Sequence, residues 1–396
     1  METVSWPYPI VRLKPGKEEL LAKGHPWVYS GALASPPPAP LVRLADASGN
    51  VMGVGTASAV NPLAVRLFLR EDRPLDPAFF RRRLEQALEA RRTLGLDGPE
   101  AGCRWVFGEG DLLPGLVVDR YAGALVVQVG TLGLEALRPA WWPELLELGQ
   151  AAGIAAFVER SQGGRKDEGM EPVNRLLKGS LGGPVVIREG PARLTVDLLK
   201  GQKTGFFLDQ RDNRLALGGM ARGCRVLNAF GYTGGFSIHA GLGGAAQVAP
   251  LDQSGAARAV AERDWAGNGL DPARHVRLQG DAFELLRQLE PGSYQRVVLD
   301  PPAFAKQRKD LDKAFKAYKD LIRLGARATA PGGILGCFSC SRHLERSRFQ
   351  EAAWTAMLEA GREAQVLAHL GPSMDHPYAL NHPEGSYLKG LWLRVL

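Results

Sequence analysis

The chain has 396 residues, 45% of them hydrophobic and 23% charged, and a formal net charge of +7. That is the makeup of a soluble protein of two or three domains, and no apolar run nears the roughly 20 residues a membrane helix needs, so no membrane partner is expected. The surplus is uneven: residues 1–70 carry 7 basic and 4 acidic side chains, 71–185 carry 14 and 17, and 186–396 carry 28 and 21. Positive charge at both ends fits a polyanionic partner touching both, although an ordinary basic protein has the same totals. The start METVSWPYPIVRLKPGKEELL lacks the uninterrupted apolar stretch of a signal peptide. A reducing cytoplasm is therefore expected, where four unevenly spaced cysteines do not read as a disulfide framework.

Residues 1–70 read as a small β-rich module. IVRL, LVRLAD, VMGVGTAS and AVRLFL are its strands, SPPPAP and ASGN its turns, and KEELLAKG its one helical stretch. Residues 71–185 form an α+β piece. Asp76-Pro77 predicts a helix start, because a capping residue followed by a first-turn proline suits one. Two strands flank Tyr-Ala-Gly-Ala within 105–130, a helix follows over 134–150, then a strand AAFVER (155–160). SQGGRKDEGMEP (161–172) is polar and predicts a mobile loop. From 186 onward strands and helices alternate. RVLNAF, AAQVAPLD, HVRLQGD, QRVVLD and GGILGCFS are strands, with helices from 234, over 254–267, 282–290 and 310–328, and from 344. This alternation predicts a parallel, doubly wound sheet, whose chemistry collects at the carboxyl ends of its strands.

The first strand of that sheet ends in VLNAFGYTGGFS (226–237), where glycines permit a tight turn against a ligand. The pattern is not GxGxxG, which counts against a dinucleotide dehydrogenase. Asp252, at the next strand end, is placed to accept from ribose hydroxyls or to cap the following helix. Asp281, at the third, is placed to accept from an adenine amine or, again, to cap. The fourth strand ends in VVLDPPAF (297–304), where two prolines stiffen the loop after Asp300. In GGILGCFSCSRHL (332–344) two cysteines lie three apart, so on a continuing strand they point opposite ways. Cys337 reads as a buried strand residue, and Cys340 falls at the strand end, level with Asp300. A zinc site would need further ligands that Cys103 and Cys224, isolated in sequence, do not supply, so no metal is expected; a redox disulfide stays open. Arg342 and His343 beside Cys340 are placed to favour its thiolate.

The ordered run TGFFLDQRDNR, VLNAFGYTGGFS, LDQS, GDAF, LDPPAF and GGILGCFSCS resembles the S-adenosylmethionine-dependent cytosine-5 methyltransferases of bacterial large-subunit (23S) ribosomal RNA. GHPWVYSGAL (24–33) resembles the PUA domain that precedes the catalytic domain there. The resemblance implies a multidomain protein: a PUA-like β-barrel (1–70), a central α+β domain (71–185) and a Rossmann-like class I methyltransferase domain (186–396). It implies that Asn228, Phe230, Tyr232, Thr233 and Gly234 line the S-adenosylmethionine loop, with Phe206 and Gln210 at the methionine end. Asp252 would hold the ribose, Asp281 the adenine, and Asp300 would sit beside the cofactor and contact the target base. Cys340 would be the nucleophile, and a homodimer is a family expectation. Family members of other branches carry a second cysteine after the Asp-Pro-Pro motif, where this chain has Ala303 and Phe304.

Covalent addition of Cys340 to cytosine C6 would activate C5 for methylation. Lys309, Lys313, Lys316, Arg323 and Arg327 recur at helical steps on one face, while Leu311, Phe315, Tyr318 and Ile322 mark another. The basic stripe suits RNA phosphates, or is a solvated face neutralised by Asp310, Asp312 and Asp320. In the N-terminal module, Lys14, Lys17, Lys23 and His25 would add grip on RNA, with Trp27 and Tyr29 as stacking platforms or core. Uracil-5 methylation and a catalytically silent RNA-binding or assembly factor are the competing functions.

Overall fold

The computed structural model describes residues 5–305 and 307–396, so the METV of the opening stretch lies outside the described residues. The chain divides into two compact units. One holds residues 1–187, 196–208 and 374–385; the other holds 188–195, 209–373 and 386–396.

The first unit opens with β1 (Ile10–Arg12), α1 (Glu19–Ala22), β2 (Trp27–Tyr29), β3 (Leu41–Ala45), β4 (Val51–Ala57) and β5 (Leu63–Leu69). The strands pair in the order β1-β3-β4-β5-β2 around Val11, Leu13, Val28, Val42, Leu44 and Val65. α2 (Pro77–Thr93) starts where the Asp-Pro pair predicts: the Asp76 carboxylate accepts the Phe79 N–H at 2.7 Å. A second sheet contains β6 (Gly102–Phe107), β7 (Leu116–Tyr121), β8 (Ala124–Val129), β9 (Ala156–Ser161) and β10 (Val173–Lys178), with α3 (Leu132–Ala136) and α4 (Arg138–Ala151) between β8 and β9. The single helix expected over 134–150 is thus divided at Leu137, because Pro139 has no N–H to continue the first helix and instead suits the start of the next.

The stretch 161–172 differs from the mobile loop its polarity predicts. Arg165 donates to the carbonyls of Val129 and Glu171 and pairs with Glu135, while Glu168 pairs with Arg66 and accepts from Asn61. Both side chains are buried. Charges whose partners lie far away in sequence look solvated until the fold supplies those partners.

β11 (Val185–Glu189) and β12 (Ala192–Val196) form a hairpin. The second unit then runs through α5 (Arg211–Gly219), β13 (Arg225–Ala229), α6 (Gly235–Leu242), β14 (Gln247–Leu251), α7 (Gly255–Gly267), α8 (Ala282–Gln288), β15 (Tyr294–Leu299), α9 (Leu311–Ala328), β16 (Thr329–Ser339), α10 (Arg346–Glu359), β17 (Ala364–Leu370) and β18 (Lys389–Val395). Its sheet has the order β14-β13-β15-β16-β18-β17, with β13 to β16 parallel and β18 inserted antiparallel between β16 and β17. The fold is therefore multidomain, with a Rossmann-like doubly wound sheet in its C-terminal part, as the alternation predicts.

Two features of this sheet depart from the sequence reading. The strand expected at HVRLQGD is reduced to isolated bridges, Val248 to His275 and Leu251 to Leu278. The carbonyls of Val248 and Pro250 accept the Val276 and Leu278 N–H groups, but Pro250 has no N–H to return, and the ladder cannot continue. The C-terminal strands β17 and β18 complete the sheet without having been predicted. Gly336 makes room for them: a Cβ there would stand 2.0 Å from Cζ3 of Trp392.

In the second unit the buried Glu189 accepts from Arg214 Nε and Nη2, both at 2.6 Å, and lies 2.9 Å from His239 Nε2. Burial pushes its carboxyl pKa up, but Arg214 and His239 outweigh that and hold it at about 2, below the ordinary 4.5. A folded-state value below the unfolded one means that Glu189 stabilises the protein above pH 4.5 and loses that contribution as pH falls toward 2, on the order of 3 kcal/mol. Glu189→Gln should therefore flatten the pH dependence of urea unfolding in this acid range. An unchanged slope would remove Glu189 from the acid response.

Candidate active site

The turn after β13 is held in a conformation that side chains rarely adopt. Phe230 and Tyr232 have φ of +61° and +46°, and Gly234 has +83°. A Cβ on Gly234 would come within 2.8 Å of Ala261 Cβ, so glycine serves both the backbone and the close approach of α7. Strain of this kind persists only where surrounding bonds over-determine it. Here Gly231 N–H reaches the Leu251 carbonyl at 3.1 Å, Gly234 N–H the Gly231 carbonyl at 2.8 Å, and Tyr232 N–H the Asp252 carboxylate at 2.8 Å. The other Asp252 oxygen accepts the Ser254 N–H, while the Ser254 hydroxyl accepts from Ala257 as the N-cap of α7. Asp252 thus braces the turn rather than capping the helix itself.

Asp281 is the N-cap of α8: one oxygen accepts from Phe283 and Glu284 N–H, and the other from Gln253 Nε2 at 2.9 Å. Among the buried polar atoms of this unit without a hydrogen-bond partner are Asn228 Oδ1, at the end of β13, and Gln210 Nε2, just ahead of α5. Asn228 Nδ2 is used by Ser237 Oγ, and Gln210 Oε1 by Asn213 Nδ2. An unpartnered buried polar atom carries a penalty of about 1–3 kcal/mol unless a ligand relieves it.

At the next two strand ends, the pairing of Leu299 with Cys337 puts Asp300 opposite Phe338. Cys340 therefore lies two residues past the level of Asp300, not beside it as the sequence reading places it; the register of β15 on β16 decides this. Cys337 faces the core, where burial pushes its thiol up to about 12, whereas Cys340 is half-exposed. The two thiols diverge and do not form a ligand or redox pair. Ser341 ties the two loops together. Its hydroxyl accepts the Ala305 N–H at 3.1 Å and bonds the Tyr318 hydroxyl at 3.0 Å, and its own N–H donates to Ser339 Oγ. Phe304 tilts over Tyr318 with ring centres 4.6 Å apart. Burial raises the Tyr318 pKa, keeping its hydroxyl a neutral partner. Behind this clasp stands the buried Lys389.

The sequence reading missed Tyr318, Ser341 and Lys389 as site residues. A lysine heading the apolar strand KGLWLRV was the one visible signal.

The other expected residues are more dispersed. Phe206 belongs to the first unit, where it is buried and its N–H donates to the Tyr121 hydroxyl. Thr233 is buried in the strained turn. Lys309 sits in a 3-10 turn ahead of α9, while Lys313, Lys316 and Arg327 are exposed. Arg323 pairs with Asp320, and Arg327 donates to the Arg287 carbonyl. In the first unit, Trp27 is buried with its Nε1 on Glu109, while Tyr29 is exposed. Arg342 is exposed, and Lys389 is a cation that interacts with Cys340.

A family model described as S-adenosylmethionine-dependent methyltransferase matches residues 172–354, and a PUA-like domain model matches 11–70. A ribosomal RNA large subunit methyltransferase I from Shewanella denitrificans is 38% identical over 97% of this chain and 99% of its own length. Its namesake from Alteromonas mediterranea is 36% identical over 97% and 98%. Among solved structures, a protein described as a SAM-dependent methyltransferase from Streptococcus mutans matches with a TM-score of 0.84 at 21% identity, covering 98% of this chain and 100% of its own. A methyltransferase complexed with S-adenosylhomocysteine matches with 0.84 at 22%, covering 98% and 99%. At these identities the structural likeness shows the fold alone.

The residues present fit S-adenosylmethionine, since an unpartnered acceptor and an unpartnered donor suit the ammonium and carboxylate of an amino-acid end. Asp252→Ala would release two backbone N–H groups from the turn. It is expected to weaken S-adenosylhomocysteine binding at least tenfold by calorimetry, while unfolding shifts by about 1 kcal/mol. Unchanged affinity would exclude Asp252 from the site.

Proposed function

We propose, from the premise that this chain belongs to the ribosomal RNA large subunit methyltransferase I family of S-adenosylmethionine-dependent enzymes, that it forms 5-methylcytosine in large-subunit ribosomal RNA with Cys340 as nucleophile. The observation that carries this reading is the Ser341 clasp: it joins the loop after Asp300 to the turn bearing a half-exposed cysteine. In this reading residues 1–70 grip folded RNA, 71–185 form the central domain, and 186–396 carry the chemistry.

Cytosine C5 is a weak nucleophile. The Cys340 thiolate would add to C6, moving the ring's electron pair toward C5, while Asp300 holds the N3 and N4 edge and stabilises the charge that develops. Bound S-adenosylmethionine supplies an electrophilic methyl group on a sulfonium. Asn228 and Gln210 would hold its amino-acid end, Asp252 the ribose and Asp281 the adenine. Loss of the C5 proton to a base then returns the pair to the ring, and the bond from C6 to sulfur breaks, releasing Cys340. A base must leave its stack to enter such a site, which suits a single-stranded or flipped nucleotide.

RNA bearing 5-fluorocytosine has no C5 proton to lose and should trap the adduct. Wild type and Cys337→Ala are expected to form a covalent species on a denaturing gel, and Cys340→Ala none. An equal adduct from Cys340→Ala would refute the nucleophile, and trapping only by 5-fluorouracil RNA would move the substrate to uracil.

The exposed Lys313 and Lys316 on α9 support a role in holding RNA phosphates. Reversing both to glutamate should lower RNA affinity and reduce the salt slope of binding by about two, one for each lost phosphate contact. An unaltered slope would leave the stripe as a solvated face.

A further inference from the structure

Burial disfavours an ammonium, and lysine is seldom buried without an anionic partner. Lys389 is 4% exposed and, among the described residues, pairs with no carboxylate. Its Nζ instead donates to two carbonyls, Ser341 at 2.7 Å and Leu344 at 2.6 Å. These are the two ends of one turn, since Leu344 N–H also reaches back to the Ser341 carbonyl at 3.1 Å. The register of β16 on β18 sets Lys389 against Ser339, next in sequence to Cys340. Two of the three ammonium protons are thus engaged, and one remains for an anion.

We propose that Lys389 is a positioning residue for Cys340: it fixes the Ser341–Leu344 turn that presents the thiol and, as an ammonium, favours the thiolate over the thiol. This rests on the reading of Cys340 as nucleophile. The proton leaving sulfur goes to solvent, and Lys389 keeps its own.

Among the described residues, charged and titratable neighbours come from three other elements. Cys340, on the turn, favours the Lys389 charge; Arg346, on α10, disfavours it; and Tyr318, on α9, feels the Cys340 charge. Burial first, and Arg346 after it, bring Lys389 down to about 8 despite Cys340. Lys389 is therefore charged at neutral pH, and its support for the thiolate fades as pH rises through 8.

The test is peptide-resolved alkylation of Cys340 by iodoacetamide between about pH 6 and 10. Lys389→Met should move the alkylation midpoint up by about one pH unit, a roughly tenfold smaller thiolate fraction at neutral pH, while Lys389→Arg keeps the wild-type midpoint. A wild-type midpoint in Lys389→Met overturns the inference. Should that variant fail to fold, Cys340→Ser decides from the other side. Its hydroxyl stays neutral, so Lys389, followed by NMR of 13C-lysine-labelled protein, should titrate lower than in wild type, because the coupling is reciprocal. An unmoved Lys389 titration overturns the inference as well. The 5-fluorocytosine trap separates the two claims. A Cys340→Ala protein that still traps ends the nucleophile reading and with it any part for Lys389 in the reaction. A trap intact in wild type and lost in Cys340→Ala, with an unshifted midpoint in Lys389→Met, ends this inference alone.

Discussion

The parallel pairing of β15 with β16 is the constraint from which the site follows. With Leu299 opposite Cys337, the side chains that leave the sheet at its carboxyl edge are Asp300 on one strand and, two residues further on, Cys340 on the next. A slip of one residue would turn Cys340 toward the core and Cys337 outward, because strand side chains alternate. The register is in turn locked by apolar contacts on one face of the sheet: Leu299, Leu335 and Cys337 lie in one cluster with Leu391 and Leu393 of β18 and with Leu321 and Leu324 of α9. Packing that has no part in the chemistry therefore decides which sulfur is accessible.

Beyond the sheet edge no ladder remains, and polar groups take over. Ser341 bonds the Ala305 amide and the Tyr318 hydroxyl, and Lys389 closes the turn behind them. Each neutral bond contributes about 1 kcal/mol net, but removing one partner would leave the others buried and unsatisfied, so the group acts as a unit. The turn after β13 works on the same principle, with the Asp252 carboxylate bracing a backbone that holds two non-glycine residues at positive φ. Rigid loops at adjoining strand ends suit a site that must align two reactants.

Much of this was legible in the residues. Strand and helix alternation revealed the doubly wound sheet, and the Asp76-Pro77 pair the start of α2, because both signals are local. The opposite facing of Cys337 and Cys340 followed from period two alone. What escaped depends on partners distant in sequence. Arg165 and Glu168 looked solvated because Glu135 and Arg66 are far along the chain, and Lys389 looked like an ordinary strand lysine because the carbonyls it serves lie more than forty residues away. β18 was overlooked because an antiparallel strand inserted between two earlier elements leaves no mark in the alternation. The truncated strand at 275–281 was misjudged for the reverse reason: its own pattern is strand-like, and the defect belongs to Pro250 on its neighbour.

That proline has a further effect. An ordinary sheet border offers donors and acceptors in turn and invites a visiting chain to extend it. With one donor deleted, this border accepts only a loosely stitched segment, held by backbone bonds at Val276 and Leu278. The segment leads directly into Asp281, which Gln253 ties down, so local opening at this border need not touch the pairing of β15 with β16, two strands away.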